Sequence, residues 1–241
     1  MWCGWIFASN RSGGCGDCDQ AALYKISLNS LEGVCQLLRI YLARHGQDVD
    51  NANGVLNGHR DLPLTDVGLA QAAEVANKIK DAGLVFDIII SSPLSRAYQT
   101  AQIIAEVNGL SAPKIMNELI ERDFGIMTGK HYSQVAEICG NDVFETETIT
   151  YFLSPEGAES FPALMERAAK LLAHLEENYP DASILLVTHG DFGKMIYAQY
   201  YQLDWKDVLR LFHFGNSELL LLSPDSAASD AHVFKIIQHN N

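Results

Sequence analysis

Arg39-Ile40-Tyr41-Leu42-Ala43-Arg44-His45-Gly46 decides how the rest of the chain is read. The apolar run Ile40 to Ala43 is too short for a typical helix and, stopped downstream by Gly46, predicts a buried strand. Ligands of open α/β sheets sit at the carboxyl ends of the strands, so Arg44 and His45 stand where chemistry is expected. Ser183-Ile184-Leu185-Leu186-Val187 repeats the design and ends in Thr188-His189-Gly190. In a parallel sheet the two His-Gly ends would share one edge. A third strand, Phe86 to Ile90, ends in Ser91-Ser92-Pro93-Leu94-Ser95-Arg96, where Pro93 suits the first turn of a helix that carries Arg96. Helix-terminal amides, two guanidinium groups and two imidazoles on one rim describe a receptor for a phosphate group.

Working outward, Gln47 to Pro63 is rich in Asn, Asp and Gly and predicts a loop over the pocket, with Asn51, Asn57 and Gly58 as candidate phosphate donors. Thr65 is a fair N-cap for a helix whose apolar positions run from Leu69 to Ile79, and a second helix spans Leu94 to Val107. Ile115 to Ile120 reads as a further strand that delivers Glu121, a carboxylate placed to move protons. The weakly patterned stretch 126–160 predicts a small cap insertion, with a helix over Ser133 to Cys139 and acidic residues Glu145 and Glu147. Phe161 to Tyr179 is a helix stopped by Pro180, another helix passes through Met195 and Ile196, and Leu219 to Leu222 with Val233 to Ile237 predict a closing antiparallel hairpin. The expected fold is a three-layer α/β/α sandwich with a mostly parallel sheet and an antiparallel edge.

A chain of 241 residues can form one such domain, here expected over 37–241. Residues 1–36 lack a sustained period and are expected to be a poorly ordered extension. Four of the five cysteines fall there, and Cys15-Gly16-Asp17-Cys18 has no second pair of metal-like spacing to accompany it, so no metal or cofactor is expected. Met1 to Phe7 is too brief and insufficiently basic for a signal peptide, which predicts reduced thiols in a cytoplasmic setting. A formal charge of -13 argues against a nucleic-acid partner and requires any phosphate site to be locally basic. No stretch approaches the roughly 18 apolar residues of a membrane span. Oligomeric state is unreadable.

The ordered series Leu42-Ala43-Arg44-His45-Gly46-Gln47, Asn51, Gly58, Asp61-Leu62-Pro63-Leu64-Thr65, Gly68, Ser91-Ser92-Pro93-Leu94, Arg96, Glu121, Gly125, Gly157-Ala158-Glu159-Ser160 and Thr188-His189-Gly190 strongly resembles the histidine phosphatase superfamily. That clan holds cofactor-dependent phosphoglycerate mutases and phosphatases of the fructose-2,6-bisphosphatase type. The resemblance implies a phosphoglycerate mutase-like fold and a metal-independent phosphatase of small phosphorylated metabolites. His45 would form a phosphohistidine, with Glu121 as general acid and base and His189 beside them. Arg44, Asn51, Asn57, Gly58, Arg96 and Gly190 would hold the phosphoryl group, and flanking arginines would keep His45 neutral. A phosphoglycerate mutase is the alternative, favoured by Arg122, which could hold a substrate carboxylate; a catalytically silent binding module is a remoter one.

Two residues depart from the family pattern. Asp48 stands where Thr is usual and Asp50 precedes Asn51 where Trp is common. Carboxylates there would disfavour a multiply charged anion unless they point outward. The cap likewise reads Phe144-Glu145-Thr146-Glu147 where the mutases carry a basic pair.

Overall fold

Strand β1 (Arg39–Arg44) forms the middle of the fold in a computed structural model that describes residues 38–238. The extension at 1–36, with Cys15-Gly16-Asp17-Cys18, lies outside the described residues. A short helix α1 (Val49–Ala52) follows β1, then α2 (Asp66–Asp81), β2 (Ile88–Ser91) and α3 (Ser95–Asn108). Next come β3 (Lys114–Ile115), α4 (Val135–Cys139), β4 (Val143–Glu145), β5 (Thr150–Phe152) and α5 (Phe161–Asn178). The chain closes with β6 (Ser183–Thr188), α6 (Gly190–Tyr200), α7 (Trp205–Leu211), β7 (Leu219–Leu222) and β8 (His232–Phe234).

Six strands form one sheet in the order β3-β2-β6-β1-β7-β8. The pairs β3/β2, β2/β6 and β6/β1 are parallel, whereas β1/β7 and β7/β8 are antiparallel. Both faces of the sheet are covered, which is why the strands read as continuous apolar runs. Ile40, Leu42, Ile184, Leu186 and Leu220 pack against α5, α6 and α7 on one side. Tyr41, Ala43, Leu185, Val187 and Leu219 face α2 and α3 on the other. The mixed three-layer architecture agrees with the expectation from sequence.

Register does the positioning. Arg39 pairs with Ser183 and Arg44 with Thr188, so the two strands end at the same height and release His45 and His189 side by side. Ser91 of β2 lies opposite Val187, which brings Ser92 level with the same edge. Immediately beyond β1 the backbone of Gly46 and Gln47 lies against Gly68 in the first turn of α2. A Cβ on Gly46 or on Gly68 would collide with the other segment's backbone, so two glycines let the His-Gly turn and the helix meet.

The chain departs locally from those expectations and adds elements to them. Ile115 to Ile120 is not one strand. β3 stops at Ile115 because its one neighbour, β2, ends opposite it at Ser91, and a 3₁₀ turn at Asn117–Leu119 then buries Leu119. Thr188 Oγ1 donates to the Leu119 carbonyl at 2.8 Å and fixes that turn. The loop after His45 contains α1, because the Asp48 carboxylate caps it by accepting from Asn51 N–H at 2.8 Å. Pro93 lies just outside α3, whose N-cap is Leu94. Helix α7, capped by Asp204 on the amides of Lys206 and Asp207, has too few periodic apolar positions to announce itself. Within 126–160, β4 and β5 form a small antiparallel hairpin, and Phe152 joins Phe124, Met127 and Val135 in a minor core beside the sheet edge.

Candidate active site

His45 is 1% exposed and His189 fully buried, with ring centroids 5.1 Å apart. His45 Nδ1 lies 2.6 Å from the Gly46 carbonyl, which requires a proton on Nδ1 and leaves the lone pair on Nε2. Arg96 Nε sits 3.3 Å from that Nε2. The guanidinium is aimed by two backbone acceptors, the carbonyls of Arg60 at 2.6 Å and Gly58 at 2.9 Å. Gly58 thus contributes a carbonyl to Arg96, in place of the amide donor expected from sequence. His45 is held well below the ordinary histidine range, first by burial and then by Arg96 and Arg44. Burial therefore leads, ahead of the flanking charges that the sequence alone singles out.

His189 Nε2 is 2.7 Å from Ser92 Oγ, and its Nδ1 is buried with no protein partner. Burial, Arg96 and His45 keep this imidazole neutral too. Arg44 donates from Nη1 to the Phe214 carbonyl at 2.9 Å, whereas its buried Nε has no protein acceptor. Gly190 lies against that guanidinium: an added Cβ would come within 3.5 Å of Cζ. One unspent donor, Arg44 Nε, and one bare imidazole nitrogen, His189 Nδ1, thus lie where β1 and β6 end.

Glu121 is 4% exposed at the start of α6. Its Oε1 accepts from the amides of Arg122 at 2.8 Å and Phe192 at 3.0 Å, and Oε2 from Asp191 N–H at 3.3 Å. Such donors favour the carboxylate, yet burial and the Asp191 charge outweigh them and raise the Glu121 pKa. A carboxyl that keeps its proton longer suits proton donation to a leaving oxygen. Arg167 of α5 holds the segment by donating to the carbonyls of Glu118, Ile120 and Glu121, and its guanidinium lies 3.9 Å over the Phe192 ring. Nothing in the sequence distance of 46 residues announces that support.

The remaining expected ligand-binding residues are placed differently. Asn51 Oδ1 accepts from Asn216 Nδ2 at 3.3 Å, and the same Nδ2 reaches the His45 carbonyl at 3.0 Å. Asn57 turns its Nδ2 to Asp48 Oδ2 at 2.8 Å. Arg122 is fully buried and committed elsewhere: Nε meets Asp191 Oδ2 at 2.9 Å, Nη1 meets the Phe152 carbonyl at 3.1 Å, and the group lies over the rings of Phe152 and Phe161. This geometry makes it a brace between α6 and the cap hairpin, away from the substrate-carboxylate role suggested for it. Asp50 is buried beneath Arg60, 2.8 Å from its Nε, and Asp48 points in as well. Its carboxylate is 0% exposed, 3.2 Å from Arg96 Nε and 3.9 Å from His45 Nδ1. Lys194 of α6, buried and 2.8 Å from Tyr151 Oη of the cap, was not legible as a site residue. Burial pulls its pKa down to about 8. Among the described residues no cluster of three His, Cys, Asp or Glu side chains is arranged to hold a metal ion.

A buried imidazole held below the ordinary histidine range, with a guanidinium donating to its Nε2, is an arrangement that can take up a phosphoryl group. The chain belongs to the histidine phosphatase superfamily (branch 1), whose sequence profile matches residues 40–236. It is 32% identical over 178 residues to a 2,3-bisphosphoglycerate-dependent phosphoglycerate mutase of Rhizobium etli, covering 71% of this chain and 84% of that one. Among solved structures it resembles a mycobacterial glucosyl-3-phosphoglycerate phosphatase at TM-score 0.66 and 27% identity, over 77% of this chain and 92% of that one. It also resembles a phosphoserine phosphatase from Entamoeba histolytica, solved with 3-phosphoglyceric acid, at TM-score 0.63 and 28% identity, covering 77% and 90%. No helix among the described residues is long and apolar enough to cross a membrane.

Proposed function

We propose that the protein is a phosphatase of small phosphorylated metabolites that works without a metal, through a phosphohistidine on His45. The observation that carries this reading is the buried His45 ring, its Nδ1 held by the Gly46 carbonyl at 2.6 Å and its unprotonated Nε2 accepting from Arg96 Nε at 3.3 Å. His45 attacks phosphorus as the bond to the leaving oxygen breaks, and Glu121 protonates that oxygen. Water, deprotonated by Glu121, then attacks the phosphohistidine and frees phosphate and the imidazole. Arg44, Arg96 and His189 offset charge on the equatorial oxygens during both transfers. The acidic cap supports hydrolysis over mutase action, because Glu145 and Glu147 on the exposed hairpin offer nothing to retain a bisphosphorylated intermediate.

The identity to mutases favours a second reading, a phosphoglycerate mutase. Phosphate release from a panel of phosphorylated metabolites, measured beside isomerisation of 3-phosphoglycerate, separates the two. His45→Ala is expected to lower phosphate release at least about 10³-fold and to abolish acid-labile phosphate trapped on the protein. Trapped phosphate that survives the substitution refutes the proposal.

A further inference from the structure

Asp48 is a carboxylate in the one place where a phosphoryl pocket should least tolerate one. Its Oδ2 lies 3.2 Å from Arg96 Nε, the same nitrogen that faces the His45 lone pair. Asn57 Nδ2 holds that oxygen at 2.8 Å, and the Asn51 amide holds Oδ1 at 2.8 Å, so the group cannot swing aside without breaking a helix cap. It is built in.

The charged and titratable groups that face Asp48 are Arg96 on α3, Arg44 at the end of β1 and His45 just beyond it. With both imidazoles neutral and Glu121 carrying the proton it is proposed to donate, the two guanidinium charges less the Asp48 carboxylate leave a balance of +1 there. A phosphate ester carries between about -1.5 and -2 near neutral pH, with its second ionisation near about pH 6. A dianion would therefore leave a net negative charge in a buried site and set a phosphoryl oxygen against Asp48, whereas one added proton cancels both defects.

We propose that Asp48 makes this pocket a receptor for the phosphoryl monoanion: a P–OH donates a hydrogen bond to its carboxylate, and a dianionic ester enters only together with a proton. The inference rests on the reading of the pocket as a phosphoryl site and names the ionic form of substrate that site accepts. Burial already raises the Asp48 pKa against the pull of Arg96, so the proton shared by the two oxygens is held in a setting that favours keeping it. Activity then falls as pH rises above the second ionisation of the ester, because the accepted form is depleted.

Calorimetric titration of the full chain with inorganic phosphate, run in buffers of different ionisation enthalpy, tests this on wild type, Asp48→Asn and Asp48→Thr. Both replacements can still cap α1, so the fold should survive, and a melting curve checks it. At about pH 8 the wild type should take up about one proton more per phosphate than Asp48→Asn, by proton linkage. The Asn variant should also bind about tenfold more tightly there, the effect of removing one adjacent like charge, with the gap closing towards acid pH. Equal proton uptake, or weaker binding by both variants at every pH, overturns the proposal and leaves Asp48 as a prop for Arg96. Phosphate binding by none of the three proteins refutes the phosphoryl site itself.

Discussion

Arg96 and Arg122 are both fully buried, and both sit one residue or one turn from a feature that marks a site in the sequence, yet they do opposite work. Arg96 spends two nitrogens on the carbonyls of Gly58 and Arg60 and keeps Nε on the edge shared by His45 and Asp48. Arg122 gives Nε to Asp191 and Nη1 to the carbonyls around Phe152, and its faces are covered by aromatic rings. Arg96 turns Nε to His45, the nucleophile proposed above, whereas Arg122 turns Nε to Asp191. What separates the two arginines is thus the group that each Nε faces.

The comparison breaks most sharply on activity. Arg96→Gln should lower kcat/KM toward an aryl phosphate by about 10³-fold, the cost of losing a donor aimed at developing phosphoryl charge. Retention of activity within about tenfold would mean that Nε is not a transition-state contact and would erase the distinction. Arg122→Met should do the reverse. It strands Asp191 and three carbonyls, so stability should fall by about 3 kcal/mol, at the low end for a broken buried pair because Asp191 is 13% exposed. Denaturant unfolding measures that loss, and kcat of the folded fraction should stay within about tenfold of wild type. A collapse of kcat without loss of stability would return Arg122 to the substrate.

The same contrast shows what could be read in the chain. The strand ends, the helix periods of α2, α3 and α5, and the convergence of Arg44, His45, Arg96 and His189 were legible, since an apolar strand fixes where its last residue emerges. Arg122 was not, because one-letter spacing records that a charge is present and not which partners consume it. Asp48 was visible as a departure, but its direction depended on the cap it forms for α1, a contact of three residues that loop composition concealed. Arg167, Lys194 and Asn216 lie far along the chain from the groups they hold, and periodicity carries no information on such pairs.

The smallest expected effect concerns the imidazoles that Arg96 helps to keep neutral. His189 is depressed well below 6.5 in the folded chain, first by burial and next by Arg96. The unfolded chain binds a proton on this residue as pH falls through about 6.5 and the folded chain does not, so stability is lost towards acid. Asp48 and Glu121 run the other way: raised by burial, they bind protons more readily when folded, and their contribution is lost as pH rises through their folded values. The two trends oppose each other in wild type, and a single melting profile against pH cannot apportion them. His189→Gln removes one imidazole while leaving both carboxyls, so its stability should fall less than that of wild type between about pH 7 and pH 5, by up to about 2 kcal/mol. Parallel profiles for the two proteins would show that His189 titrates normally when folded, and the neutral pair beside Arg96 would no longer stand.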